Sequence, residues 1–126
     1  MPEADEIHLQ LVAHGRDGFD VSFETLIDSL SSWPMLASEP DGSFVWHPSR
    51  DQTVFGMIYD VAGRVRYVEL RGRFRGETLE KIAAEMLTGD DSLRVVELPR
   101  GELQKLPDVV NRLNESPGRS KLGPDR

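Results

Sequence analysis

Residues 35 to 73 hold two glycine-closed tetrads, EPDG and DVAG, each set between short β-prone runs. In the first, Pro40 and Asp41 suit the central positions of a type I turn with Gly42 last; in the second, Asp60 opens the turn and Gly63 closes it. A terminal glycine of this kind supplies the left-handed residue of a bulged hairpin. Strands over about residues 35–38, 43–47, 53–59 and 64–73 follow from this, and the short HPSRD link joins the two hairpins into a meander. The middle of the chain is thereby committed to local antiparallel pairing, and every other element has to be placed around it.

Before the meander, Ile7, Leu9 and Leu11 alternate with His8, Gln10 and Val12, the period of a strand with one buried face. Phe23, Leu26, Ile27 and Leu30 then recur at helical spacing, with Asp20 or Ser22 as the N-cap and Pro34 enforcing an end near Trp33. After the meander, GETLEKIAAEMLTG carries one apolar stripe through Leu79, Ile82, Ala83, Met86 and Leu87, with Gly89 placed as a C-terminal glycine. LRVVELP reads as a short strand ended by Pro99, and Pro107 opens a last helix carrying Val110 and Leu113. The expected order is β-α-β-β-β-β-α-β-α, an α+β fold with a mainly antiparallel sheet and helices packed on one face. Residues 1–114 form one domain in this reading, and residues 115–126, rich in Pro, Gly and charge, form a disordered tail.

A chain of 126 residues can bury a sufficient core without metals or disulfides, and the absence of cysteine excludes thiolate chemistry and zinc–thiolate sites. The N-terminal MPEADEIHLQL lacks the basic and long apolar stretches of a signal peptide, and no apolar run reaches membrane-spanning length. The expectation is a cytoplasmic protein with no membrane contact. The formal net charge is −7, which disfavours nucleic acid as a partner. The charge is uneven, however: residues 1–63 hold eleven acids against Arg16 and Arg50, whereas residues 64–75 hold five arginines against Glu69.

That arginine-rich strand belongs to the second hairpin. With the bulged turn assumed above, Phe55 opposes Glu69, Met57 opposes Tyr67, Tyr59 opposes Val65 and Asp51 opposes Arg73. Val54, Gly56 and Ile58 share the other face with Arg66, Val68 and Leu70. Both faces near the turn are therefore apolar, although a sheet with one solvated face should alternate. Either the chain's own first strand or last helix covers the face of Phe55, Met57, Tyr59 and Tyr67, or a partner protein or second copy does. Farther from the turn, Arg71, Arg73 and Arg75 fall on one side and lead into the N-terminus of the GETLEKIAAEML helix. There they form either a solvated edge paired to nearby acids or an anion site helped by free backbone N–H groups.

No other constellation carries chemistry. His8, His14 and His47 lack close metal-ligand spacing, Ser29, Ser31 and Ser32 lack a glycine elbow, and GRDG and RGRFRG fit no nucleotide-binding loop. No catalytic residue, cofactor or metal is assigned. The expectation is a small non-catalytic protein-interaction module. Its partner is another protein or a second copy of itself, met through the central hairpin around Phe55, Met57, Tyr59, Tyr67, Arg71, Arg73 and Arg75. Anion or nucleic-acid binding through the arginine strand, and an enzyme of unrecognised type, are the alternatives.

Overall fold

The computed structural model describes residues 6–86 and 93–115. Its elements are β1 (Ile7–Ala13), α1 (Phe23–Ser31), β2 (Leu36–Ser38), β3 (Ser43–Ser49), β4 (Gln52–Val61), β5 (Arg64–Arg73), α2 (Gly76–Ala84), β6 (Leu93–Glu97), β7 (Glu102–Lys105) and α3 (Leu106–Glu115). All seven strands pair antiparallel in one sheet of order β2-β3-β4-β5-β1-β6-β7, which makes the chain an α+β protein. The meander from β2 to β5 forms one side of the sheet. β1 then enters beside β5, and β6 and β7 extend it beyond β1.

The strand β7 was not foreseen. Its sequence, ELQK, carries one apolar residue, and an edge strand needs no alternating stripe when only one neighbour and one helix rest on it. Its turn leaves a clearer trace: Gly101 has φ +80° and donates its N–H to the Glu97 carbonyl at 2.7 Å. Of the two expected N-caps of α1, Ser22 takes the role, its hydroxyl accepting from the Thr25 N–H. The helix ends at Ser31, close to Trp33 as expected, and the Ser31 and Ser32 hydroxyls donate to the Ile27 and Ser29 carbonyls. α3 runs through Glu115; the expected C-terminal tail beyond it, and Leu87 and Gly89 after α2, lie outside the described residues.

The strands place one row of side chains inward. Leu9, Leu70, Gly56 and Phe44 align across β1, β5, β4 and β3, as do Leu11, Val68 and Ile58. Against this face pack Leu26 and Leu30 of α1, Leu79, Ile82 and Ala83 of α2, and Val109 and Val110 of α3, all essentially excluded from water. Each fully buried aliphatic side chain contributes about 1.5–3 kcal/mol, so this single core accounts for the arrangement of all three helices on one side. Trp46 is buried and Trp33 lies tilted against it at 4.7 Å, with the Lys81 ammonium of α2 4.6 Å above the Trp33 ring. This joins α2 to the β3 side of the sheet through a cation–π contact.

The central hairpin differs from expectation in its turn. The EPDG turn is of the expected kind, with the Gly42 N–H donating to the Glu39 carbonyl and φ +98° at Gly42. In DVAG, by contrast, Ala62 and Gly63 both take positive φ, 54° and 83°, so the reversal is a two-residue turn between paired Val61 and Arg64. The Asp60 carboxylate accepts the Gly63 N–H at 3.0 Å and holds it. The bulge sits farther along, where Asp60 pairs with Val65 but Tyr59 pairs with Tyr67, leaving Arg66 as the extra residue. Beyond it the register is two residues from the expected one: Phe55 faces Arg71, Met57 faces Glu69 and Thr53 faces Arg73. A slip of two keeps every side chain on its face, so the partition between faces survives from Tyr59 outward. Nearer the turn it does not: Val65 enters the core at 0% exposure and Arg66 is exposed.

Candidate interaction face

Because all three helices lie on the core side, no described element covers the opposite face of the sheet, called the open face below. Neither of the chain's own expected covers lies over it, since β1 is an in-plane neighbour of β5 and α3 packs on the core side. By register, the open face carries Val45 from β3, then Thr53, Phe55, Met57 and Tyr59 from β4. β5 adds Tyr67, Glu69, Arg71 and Arg73, and β1 adds His8, Gln10 and Val12. β6 and β7 add Arg94, Val96, Leu103 and Lys105. Phe55 is 51% exposed and Leu103 55%, unusual values for large apolar side chains on a sheet.

The apolar and polar parts of this face are organised. Tyr59 and Tyr67 stack as a directly paired cross-strand couple, ring centroids 4.5 Å apart. Beside them the Glu69 carboxylate acts on the Tyr59 phenol and is hydrogen-bonded to His8 Nε2 on β1. Partial burial, then the Glu69 charge and then Tyr67, push the Tyr59 phenol above its ordinary value. The Glu69 carboxylate is thus held within the sheet. Phe55 lies directly across from Arg71, with Arg73 one pleat farther on, and among the described residues neither arginine takes an ion pair.

Six of the seven residues singled out in the sequence, Phe55, Met57, Tyr59, Tyr67, Arg71 and Arg73, share this surface. Arg75 does not. It has left the strand as the N-cap residue of α2, and its guanidinium is 3.3 Å from Asp51 and 3.8 Å from Glu77. The Asp51 pairing expected for Arg73 therefore belongs to Arg75, a consequence of the two-residue register change.

At the α2 N-terminus, where an anion site was one expectation, two backbone N–H groups have partners within the chain. The Glu77 N–H donates to Asn114 Oδ1 of α3 at 3.2 Å, and the Arg75 N–H donates to Gln52 Oε1 at 2.9 Å. Gly76 is packed so closely that a Cβ there would lie 2.1 Å from the Val110 carbonyl.

At the end of the open face distant from the tyrosines, Glu6, Arg50, Asp51, Thr53, Phe55 and Arg73 line a groove of about 530 Å³. Arg50, in the link between β3 and β4, takes no ion pair among the described residues. The Ser49 hydroxyl, followed by Arg75, holds the Asp51 carboxyl below the ordinary aspartate value. Sequence reasoning passed over Arg50, Arg94, Leu103 and Lys105. Arg50 sits in a link whose direction no periodicity reveals, and the others depend on the pairing of β6 and β7, which only the tertiary fold supplies.

Charge is sorted across the sheet. The open face carries Arg71, Arg73, Arg94 and Lys105 against Glu69, whereas the three helices carry Glu24, Asp28, Glu77, Glu80, Asp108 and Glu115 against Lys81 and Arg112. No three His, Asp or Glu side chains among the described residues converge as a metal site, and no described helix is long and apolar enough to cross a membrane. The fold and site define an antiparallel α+β protein with one bare, basic and aromatic sheet face. No protein family, curated protein or solved structure matches the chain at a significant level.

Proposed function

We propose that the protein is a non-catalytic contact module that binds an acidic, partly apolar segment of another protein on the open face of its sheet. The observation that supports this reading is the juxtaposition of exposed Phe55 and the Tyr59–Tyr67 pair with Arg71 and Arg73, which take no ion pair among the described residues. Apolar side chains of a partner would cover the rings, and its carboxylates would meet the guanidinium groups in the bidentate geometry that arginine favours. The positive face and negative back would orient an acidic partner during encounter. The lack of cysteine suits a reducing compartment, and we place the module in the cytoplasm.

Charge argues for a different protein over a second copy. Two copies meeting face to face would bring Arg71 and Arg73 toward their equivalents while Glu69 is already engaged with His8. Meeting face to back, they would form a heterologous contact, which gives a ring or a filament rather than a closed dimer. The same arginines beside aromatic rings could attract single-stranded nucleic acid. The acidic helices and the overall charge of −7 count against that use.

Selection of random twelve-residue peptides on the immobilised protein tests the reading. The expected outcome is enrichment of Asp and Glu beside aromatic or aliphatic residues, with binding lost in the F55A/Y67A double variant. Recovery of the same peptides by that variant, or a selection with no acidic enrichment, would remove the proposal. Sedimentation velocity completes the test: a dimer dissolved by F55A would assign the face to a second copy instead.

A further inference from the structure

The groove at the Phe55 end of the open face has the size of a ligand site, about 530 Å³ against a usual range of roughly 300–1,000 Å³. Its chemistry is more specific than that of the face as a whole. Two guanidinium groups, Arg50 from the β3–β4 link and Arg73 from the end of β5, border it, and Phe55 supplies an apolar wall that is half exposed. Two carboxylates also border it, but they are not equivalent. Asp51 is occupied by the Ser49 hydroxyl at 2.7 Å and by Arg75 at 3.3 Å, so its charge is largely answered from outside the groove. Glu6 is exposed and takes no ion pair among the described residues.

Arg50 and Arg73 against Glu6 leave an excess of one positive charge. We infer that the groove receives one carboxylate of the partner, an aspartate or glutamate side chain, clamped between Arg50 and Arg73 while the neighbouring apolar residue lies on Phe55. A monoanion completes the charge of the groove, whereas a phosphate dianion would overshoot it beside Glu6. Thr53 adds a hydroxyl at the rim, 3.3 Å from His47 Nδ1, through which a carboxylate oxygen can also be held. This assignment rests on the acidic-partner reading above and locates its principal charge contact at one end of the face.

The experiment uses peptides recovered in the selection and measures their affinity for the full chain and its variants by calorimetry. R50E and R73E should each weaken binding at least about tenfold, the range seen when one member of a desolvated charge pair is reversed. Replacing the peptide's key Glu by Gln should cost the wild type a similar factor and cost the reversed variants little more, because the contact is already gone. A Glu→Lys peptide should bind R50E/R73E better than it binds the wild type. All of these side chains lie at the surface, and unchanged thermal unfolding identifies the variants as folded. Peptides that bind R50E/R73E as tightly as wild type, while still failing on F55A/Y67A, would overturn the groove assignment and leave the face reading standing. Loss of the F55A/Y67A effect, or a selection that returns no peptide, would overturn both. A phosphoserine peptide binding more tightly than its glutamate counterpart would replace the carboxylate by a phosphate.

Discussion

At the scale of single residues, Gly56 shows how tightly the sheet and its core are fitted. Phe44 lies directly across from it, and a Cβ at Gly56 would fall 2.1 Å from the Phe44 ring. G56A should therefore destabilise the protein by about 1–3 kcal/mol, the usual cost of overpacking, read as a lower denaturant midpoint with unchanged slope. Asp41 and Asp51 contribute to the loss of stability in acid. The Ser43 backbone N–H and hydroxyl hold Asp41 below 3.8, and the Ser49 hydroxyl and Arg75 do the same for Asp51. A carboxyl lowered in the folded state contributes stability that is complete above 3.8 and disappears as pH falls through the folded values. Unfolding midpoints followed from about pH 5 down to about pH 2 should fall, and fall less steeply in D51N. Tyr59 gives a spectroscopic readout of the open face. In a Y67F background, E69Q should lower its phenol titration toward 10.0 without reaching it, because burial, the larger cause, remains. A titration unmoved by E69Q would separate the carboxylate from the ring.

At the scale of elements, the hairpin turn carries a correctable cost. Ala62 sits at φ 54°, a conformation that costs an ordinary L-residue about 1–2 kcal/mol and that asparagine adopts more readily. A62N should raise stability by about 0.5–1 kcal/mol, measured by thermal or denaturant unfolding. The same residue explains where sequence reading lost the register. Alanine gives no sign of a left-handed position, so DVAG read as a type I turn closed by Gly63. The local elements were legible because their signals are local: the alternation in β1, the turn tetrads that bound β3, β4 and β5, and the apolar stripes of α1 and α2 each follow from spacing alone. β7 has no such pattern, being an edge strand held by a turn at Gly101. The shared surface of Phe55, Met57, Tyr59 and Tyr67 was legible for a related reason, since a register error of two residues leaves strand faces unchanged. The identity of what lies over that surface was not, because it depends on where β1 and α3 dock. The Arg75 prediction failed at a point where the strand ends and alternation no longer applies.

At the scale of the whole molecule, the sheet separates two chemistries, an acidic helical back and a basic, aromatic front. Sedimentation velocity at low salt should show a monomer of about 14.2 kDa, the outcome expected when the front serves a different protein. A stable dimer in which F55A has no effect would place the self-contact elsewhere on the molecule. The front also depends on how its frame is closed behind it. Buried Gln52, at the start of β4, accepts from the Arg75 N–H and the Thr78 hydroxyl and donates to the Ser49 hydroxyl, while Asn114 of α3 accepts from the Glu77 N–H. The N-cap side chain of α2 makes no capping bond of its own. A helix of nine residues whose first turn is satisfied only by a distant strand and a later helix has little reason to persist alone. α2 is thus tied to the β3–β4 link, and a change that loosens the link should loosen the start of the helix with it. The groove bordered by Arg50 and Asp51 is built on that same link, so a disturbance at the α2 N-terminus should reach the groove as well.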